Sequence, residues 1–126
     1  MKLAIASAVA LALAASTAAA QQGALECRGT EPFWGVTVTA KAMWFTDQDA
    51  KKVALVPVQP SNAIARPQDL IRVYRTRRAD GRGAVTLVVT RNEQTCSDGM
   101  SDRRYAYNAI YMGSEGVMEG CCSWTR

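Results

Sequence analysis

The chain has 126 residues, 48% of them hydrophobic and 21% charged, with fifteen basic and eleven acidic residues and a net charge of +4. That is one domain's worth of chain, long enough to bury ~60–70% of its unfolded surface around one modest core. The charge is too mild to predict a nucleic-acid partner, and it suits acidic envelope polymers, anionic lipid surfaces or plain solubility.

Residues 1–20 read as a secretory signal peptide. Lys2 supplies the positive start, Leu3 to Ala15 is a nearly continuous apolar run, and Ala18-Ala19-Ala20 offers a small-residue cleavage site. The run is shorter than the ~20 apolar residues of a membrane-spanning helix. The first cysteine, Cys27, follows Leu25 and Glu26, a wrong context for lipidation. Cleavage after Ala20 leaves residues 21–126 as a single β domain with 14 basic residues (15 less Lys2) against 11 acidic, net +3. The expected location is the periplasm of a bacterium or the outside, with no stable membrane anchor.

After the signal, helical periodicity gives way to short alternating or apolar runs between turn signals. Leu25 to Gly29 is a short first strand. Phe33 to Ala40 alternates with Trp34, Val36 and Val38 on one face, and Ala42 to Thr46 follows before a turn at 46–49. Val53 to Val58 is apolar, and the prolines at 57, 60 and 67 mark a loop that continues to Gln68. Leu70 to Thr76 is a strand interleaved with arginines, and Arg77 to Gly83 is a polar turn. Ala84 to Arg91 carries the clearest alternation, with Val85, Leu87 and Val89 inward. Tyr105 to Met112 and Val117 to Cys122 flank a turn at 113–116. The expectation is an all-β fold: a small antiparallel barrel or curled sheet of about eight strands in meander order, with two disulfides. Trp34 and Trp44 are expected as core anchors, and Trp124 in a tail beyond the last cysteine.

Four cysteines in an exported chain read as two disulfides. Cys121 and Cys122 are adjacent on a strand, so they point to opposite faces and need different partners. One of the three connectivities is thereby removed. Leu25 shares a face with Cys27, and Met118 with Cys122, which favours Cys27–Cys122 in the core and Cys96–Cys121 outside. Val117, on the supposedly exposed face with Glu119 and Cys121, argues the other way. The rival, a four-thiolate zinc site, lacks the C-x-x-C spacing.

Histidine is absent, which removes the commonest general base and metal ligand, and oxidised cysteines offer no thiolate nucleophile. No cofactor or metal is expected. Catalysis would fall to carboxylates, as in glycoside hydrolysis, with Glu31, Asp98, Asp102 and Glu119 as the available groups. The polar loop from Ser97 through Asp98, Ser101, Asp102 and Arg103 to Tyr105 and Tyr107 is the candidate binding site. Its Ser and Asp side chains also suit a purely structural role, bonding nearby backbone N–H groups in tight turns. A calcium loop would need denser oxygen ligands. Tyr105, Tyr107 and Tyr111 share strand parity, as a recognition face or as the inner wall of the sheet. The arginines at 72, 75, 77, 78 and 82 form the densest positive cluster, a solvated strand and turn or an anion site.

Gly29, Glu31, Pro32, Phe33 and Trp34, with Cys96, Asp98, Met100, Ser101, Tyr105 and Gly120-Cys121, resemble a family of uncharacterised bacterial envelope proteins with a G-x-E-P-F-W box and a C-x-D-x-M-S loop before a final Gly-Cys. The resemblance spans nearly all the chain after the signal and implies a Cys96–Cys121 pair, leaving Cys27 for Cys122. It carries no activity, and the lipidation cysteine of many members is missing here. Ser101 to Tyr105 is more loosely similar to a loop of the periplasmic inhibitors of c-type lysozyme. The expected function is a non-enzymatic periplasmic or secreted module binding a protein or envelope component near Cys96–Tyr107. An inhibitor of c-type lysozyme and a small carboxylate-dependent hydrolase are the alternatives.

Overall fold

The computed structural model describes residues 23–125, so the expected signal peptide at residues 1–20 lies outside the described residues. Nine strands follow in chain order: β1 (Ala24–Thr30), β2 (Phe33–Val38), β3 (Met43–Thr46), β4 (Lys52–Leu55), β5 (Ser61–Asn62), β6 (Ile71–Arg77), β7 (Ala84–Ser97), β8 (Arg104–Gly113) and β9 (Gly116–Thr125). They form one curled antiparallel sheet, a half-barrel, in the order β4-β3-β2-β1-β9-β8-β7-β6-β5. Each half is a meander, as the short turns require. The halves meet where the first strand pairs with the last, Leu25 opposite Trp124 and Cys27 opposite Cys122.

The sheet is of the expected kind and size, and three local expectations need correction. Ser61–Asn62, inside the proline-marked loop, is a short strand that pairs with Val73 and Arg72. Trp124 belongs to β9 and pairs with Leu25. Trp44 is half-buried on the outer face beneath the Lys52 ammonium, 4.7 Å from its ring centroid. Its neighbours Met43 and Phe45 take the inward positions.

Alternation decides the core. Leu25, Cys27, Trp34, Val36, Val85, Leu87, Val89, Tyr111 and Cys122 are all buried on the concave face. The Tyr111 ring stacks on Phe45 at 4.7 Å between centroids and lies 5.6 Å from Trp34. Its hydroxyl donates to Glu115 at 2.8 Å, and Glu115 pairs with Arg78 at 3.7 Å. These contacts fill the β8–β9 turn end of the interior. Burial raises the Tyr111 hydroxyl pKa above the ordinary phenol value, and the Glu115 carboxylate adds to the shift.

The free edge of β4 folds back on the end of β6. The Val56 amide donates to the Arg77 carbonyl and the Ala79 amide to the Ala54 carbonyl, both at 2.9 Å. An exposed strand edge is a template for association, and these bonds cover part of it.

Both disulfides form, Cys27–Cys122 across the β1–β9 joint and Cys96–Cys121 on the outer face. Val117, whose parity argued against this pairing, is 73% exposed. The chain-entropy model assigns the closures ~4.7 and ~3.5 kcal/mol taken singly, for sequence separations of 95 and 25. All four cysteines are consumed, leaving no thiolate for zinc.

The paired glycines of the G-x-E-P-F-W box and the final Gly-Cys have a shared steric cause. Trp34 lies across β1 and β9, its Nε1 donating to the Glu119 carbonyl at 3.2 Å. A Cβ on Gly29 would overlap the indole nitrogen, and one on Gly120 would overlap the Arg28 carbonyl and the indole ring. Gly120→Ala is expected to destabilise the fold by ~1–3 kcal/mol through overpacking against backbone that cannot yield. Urea unfolding checks this, and an unchanged midpoint would remove the steric account.

Candidate functional site

The sequence-predicted loop is held by a strand that changes direction. Along β7 and β8, Arg91 pairs with Tyr107 but the next pair is Cys96 with Tyr105. Residues 92–95 therefore form an enlarged bulge, with Thr95 at a φ of 68°, a region a β-branched residue enters only under constraint. Asn92 supplies that constraint. Its amide donates to the Thr95 carbonyl at 3.2 Å and to Asn108 at 3.3 Å, and its oxygen accepts from the Gln94 amide at 2.9 Å. These residues escaped the sequence reading, although Asn92 opening a polar run after a strong strand was an available turn signal.

The bulge moves the chain onto the outer face. There Cys96, Cys121 and Tyr105 make a second small buried cluster, separate from the main core. The three tyrosines consequently do not share one surface. Tyr111 is in the core, Tyr107 packs against it, and Tyr105 is 7% exposed over the Cys96–Cys121 bond.

Asp98 organises the loop. One carboxylate oxygen accepts from the Met100 and Ser101 amides at 2.9 and 2.8 Å. The other accepts from the Ser101 hydroxyl at 2.8 Å and the Tyr105 hydroxyl at 3.3 Å. The Met100 and Ser101 amides, with the Ser101 hydroxyl, hold its pKa down to about 2. Ser97 accepts from the Gly99 amide and Ser101 from the Arg103 amide, each at 3.2 Å. The Arg103 guanidinium lies 4.7 Å from the Tyr105 ring centroid and reaches Ser123 at 3.4 Å. Asp102 is exposed. Thr30 ties the far side of the loop to the β1–β2 turn through a 2.8 Å bond to the Asp98 carbonyl.

Between this arch and the outer face of β1, β9, β8 and β7 lies a groove of about 770 Å3. Arg28, Glu31, Asn108, Ile110 and Glu119 face it, and Met100 stands at its edge. Met100 is 66% and Ile110 44% exposed. Beyond Ile110 the outer face continues with the cross-strand pair Met112 and Val117, both exposed. The structure thus brings together Asp98, Met100 and Glu31 with Glu119, and it leaves Phe33 exposed away from the groove lining. Of the carboxylates considered for catalysis, Asp98 is committed to four hydrogen bonds and held ionised, which unsuits it as a proton donor.

No family model, curated protein or solved structure matches this chain.

The Asp98 carboxylate is favoured in the folded state, so its contribution is complete above the ordinary aspartate pKa and is lost as pH falls from about 4 towards 2. Hydrogen exchange at the Met100 and Ser101 amides should accelerate, relative to their intrinsic rates, across that window before the core amides follow. Protection that stays constant through it would show that the carboxylate does not hold the loop.

Proposed function

We propose that this chain is a non-enzymatic, exported β module that binds a protein partner in the outer groove beside the Cys96–Tyr107 loop. The observation that carries the reading is the groove itself, walled by a loop locked through Asp98 and Cys96–Cys121 and continuous with exposed Ile110, Met112 and Val117. A loop already fixed in one conformation loses little entropy on binding. Apolar side chains grouped on an otherwise polar surface are what a protein interface buries at its centre. Disulfide bonding supports an oxidising compartment, and export through the signal at residues 1–20 supplies one. The resemblance to bacterial envelope proteins agrees with that location.

Asp98 is a poor probe of binding because its loss would collapse the loop. Met100→Glu and Ile110→Glu instead alter the groove while leaving the loop bonds intact. A partner recovered from envelope extract by the unmodified chain should bind each variant at least ~30-fold more weakly, a hot-spot effect of ~2 kcal/mol or more. Arg75→Glu, on the exposed face of β6, should retain full affinity. Equal capture by all three variants would remove the groove from the function.

A further inference from the structure

The interior has a second end, opposite the Tyr111–Glu115 contact, where the sheet opens between the end of β9 and the start of β6. A cavity of about 310 Å3 lies there, at the small end of the range that holds single small molecules. Val38, Val58, Tyr74 and Trp124 give it apolar faces, Thr39, Gln59, Asn62 and Gln68 add uncharged polar groups, and its lining contains no aspartate or glutamate. One cation enters it. Arg72 stands on the inward face of β6 with Tyr74, which is 2% exposed, and opposite Asn62 of β5.

Arg28, Arg78 and Arg91 each pair with a carboxylate. Arg72 instead lies 5.1 Å from the Trp124 ring centroid. Its Nε is buried and, among the described residues, has no hydrogen-bond partner. A buried donor left unbonded costs free energy, more so on a charged group; the Nε is closed off from the cavity, so a ligand there would meet the guanidinium at its terminal nitrogens. A guanidinium offers a planar fork of donors that matches a carboxylate in two parallel bonds.

We propose that this cavity binds a small organic monocarboxylate, its carboxylate on Arg72 and its apolar body against Val38, Val58 and Trp124. A single cation, set between apolar faces and the uncharged polar groups of Thr39, Gln59, Asn62 and Gln68, favours a singly charged carboxylate over a phosphate, which would draw on more cations or on a cluster of backbone amides. The site lies on the concave face, on the other side of the sheet from the outer groove, so it stands or falls independently of the protein-binding reading.

The test titrates hexanoate into the purified chain, with hexanol and inorganic phosphate as comparisons, following the Trp124 indole N–H by NMR and the heat by calorimetry. Hexanoate should shift the Trp124 signal saturably, with affinity at least ~tenfold above both comparisons. Arg72→Met should weaken hexanoate by ~tenfold or more while leaving the hexanol response unchanged. Should Arg72→Met fail to fold, Arg72→Lys and Trp124→Leu carry the test in calorimetry, and both should bind hexanoate more weakly. The proposal is overturned by a Trp124 signal indifferent to hexanoate, by hexanol or phosphate binding as tightly, or by variants that bind hexanoate unchanged.

Discussion

Two adjacent cysteines on one strand impose the constraint on which this molecule is built. Neighbouring side chains of a β-strand must leave on opposite faces, so Cys121 and Cys122 anchor two layers from a single dipeptide. Cys122 goes into the core, to Cys27 on β1, and Cys121 goes to the outer face, to Cys96 at the end of β7. The first bond lies across the β1–β9 ladder, which joins the two meander halves side by side. Chain order alone would not hold those halves together, because their strands are far apart in sequence and their pairing closes a long loop at an entropic cost. The second bond fixes the outer arch to the same strand, so the loop and the core share one foundation.

The curl of the sheet then treats its two ends differently. At the β8–β9 turn, Tyr111, Glu115 and Arg78 satisfy one another's polar atoms, and the interior there is filled. At the other end, Arg72 and Trp124 face a space that no side chain of the described residues occupies, and the Nε of Arg72 has no acceptor. A buried polar cluster with all its bonds made is rigid and specifying, whereas one with a bond missing carries that cost. The same sheet therefore carries a structural plug and an incomplete site on one continuous face.

Much of this fold could be read from residue order, because a period of two is a strong local signal. Val85, Leu87 and Val89 went inward as their alternation requires, and the parity of Leu25 and Met118 led to the Cys27–Cys122 pair. What escaped was set by contacts distant in sequence. Ser61–Asn62 has no strand-like composition and is extended because β6 offers it an edge. Trp44 looks like a core anchor by size, yet Met43 and Phe45 take the inward positions, and only the register with β2 and β4 decides between the two faces. Arg72 looked like one more solvated arginine until the curl placed its face inside. The candidate loop was visible as a polar segment between cysteines. Its stiffness was not, since that depends on Asp98 reaching Tyr105, Thr30 reaching back to the loop, and Asn92 holding the bulge.

The polar loop therefore acts differently from what its composition suggests. By residue type Ser97, Asp98 and Ser101 offer hydroxyls and a carboxylate to a ligand, yet their hydrogen bonds run to their own backbone and to one another. Side chains committed in this way cannot be the main source of affinity, because any ligand bond would have to replace one already made. On the proposed reading, recognition in the groove comes from what the arch leaves uncommitted, the apolar Met100 and Ile110 and the strand residues behind them. The polar loop is the scaffold of the site, and the surface it frames is where the proposed contact would be made.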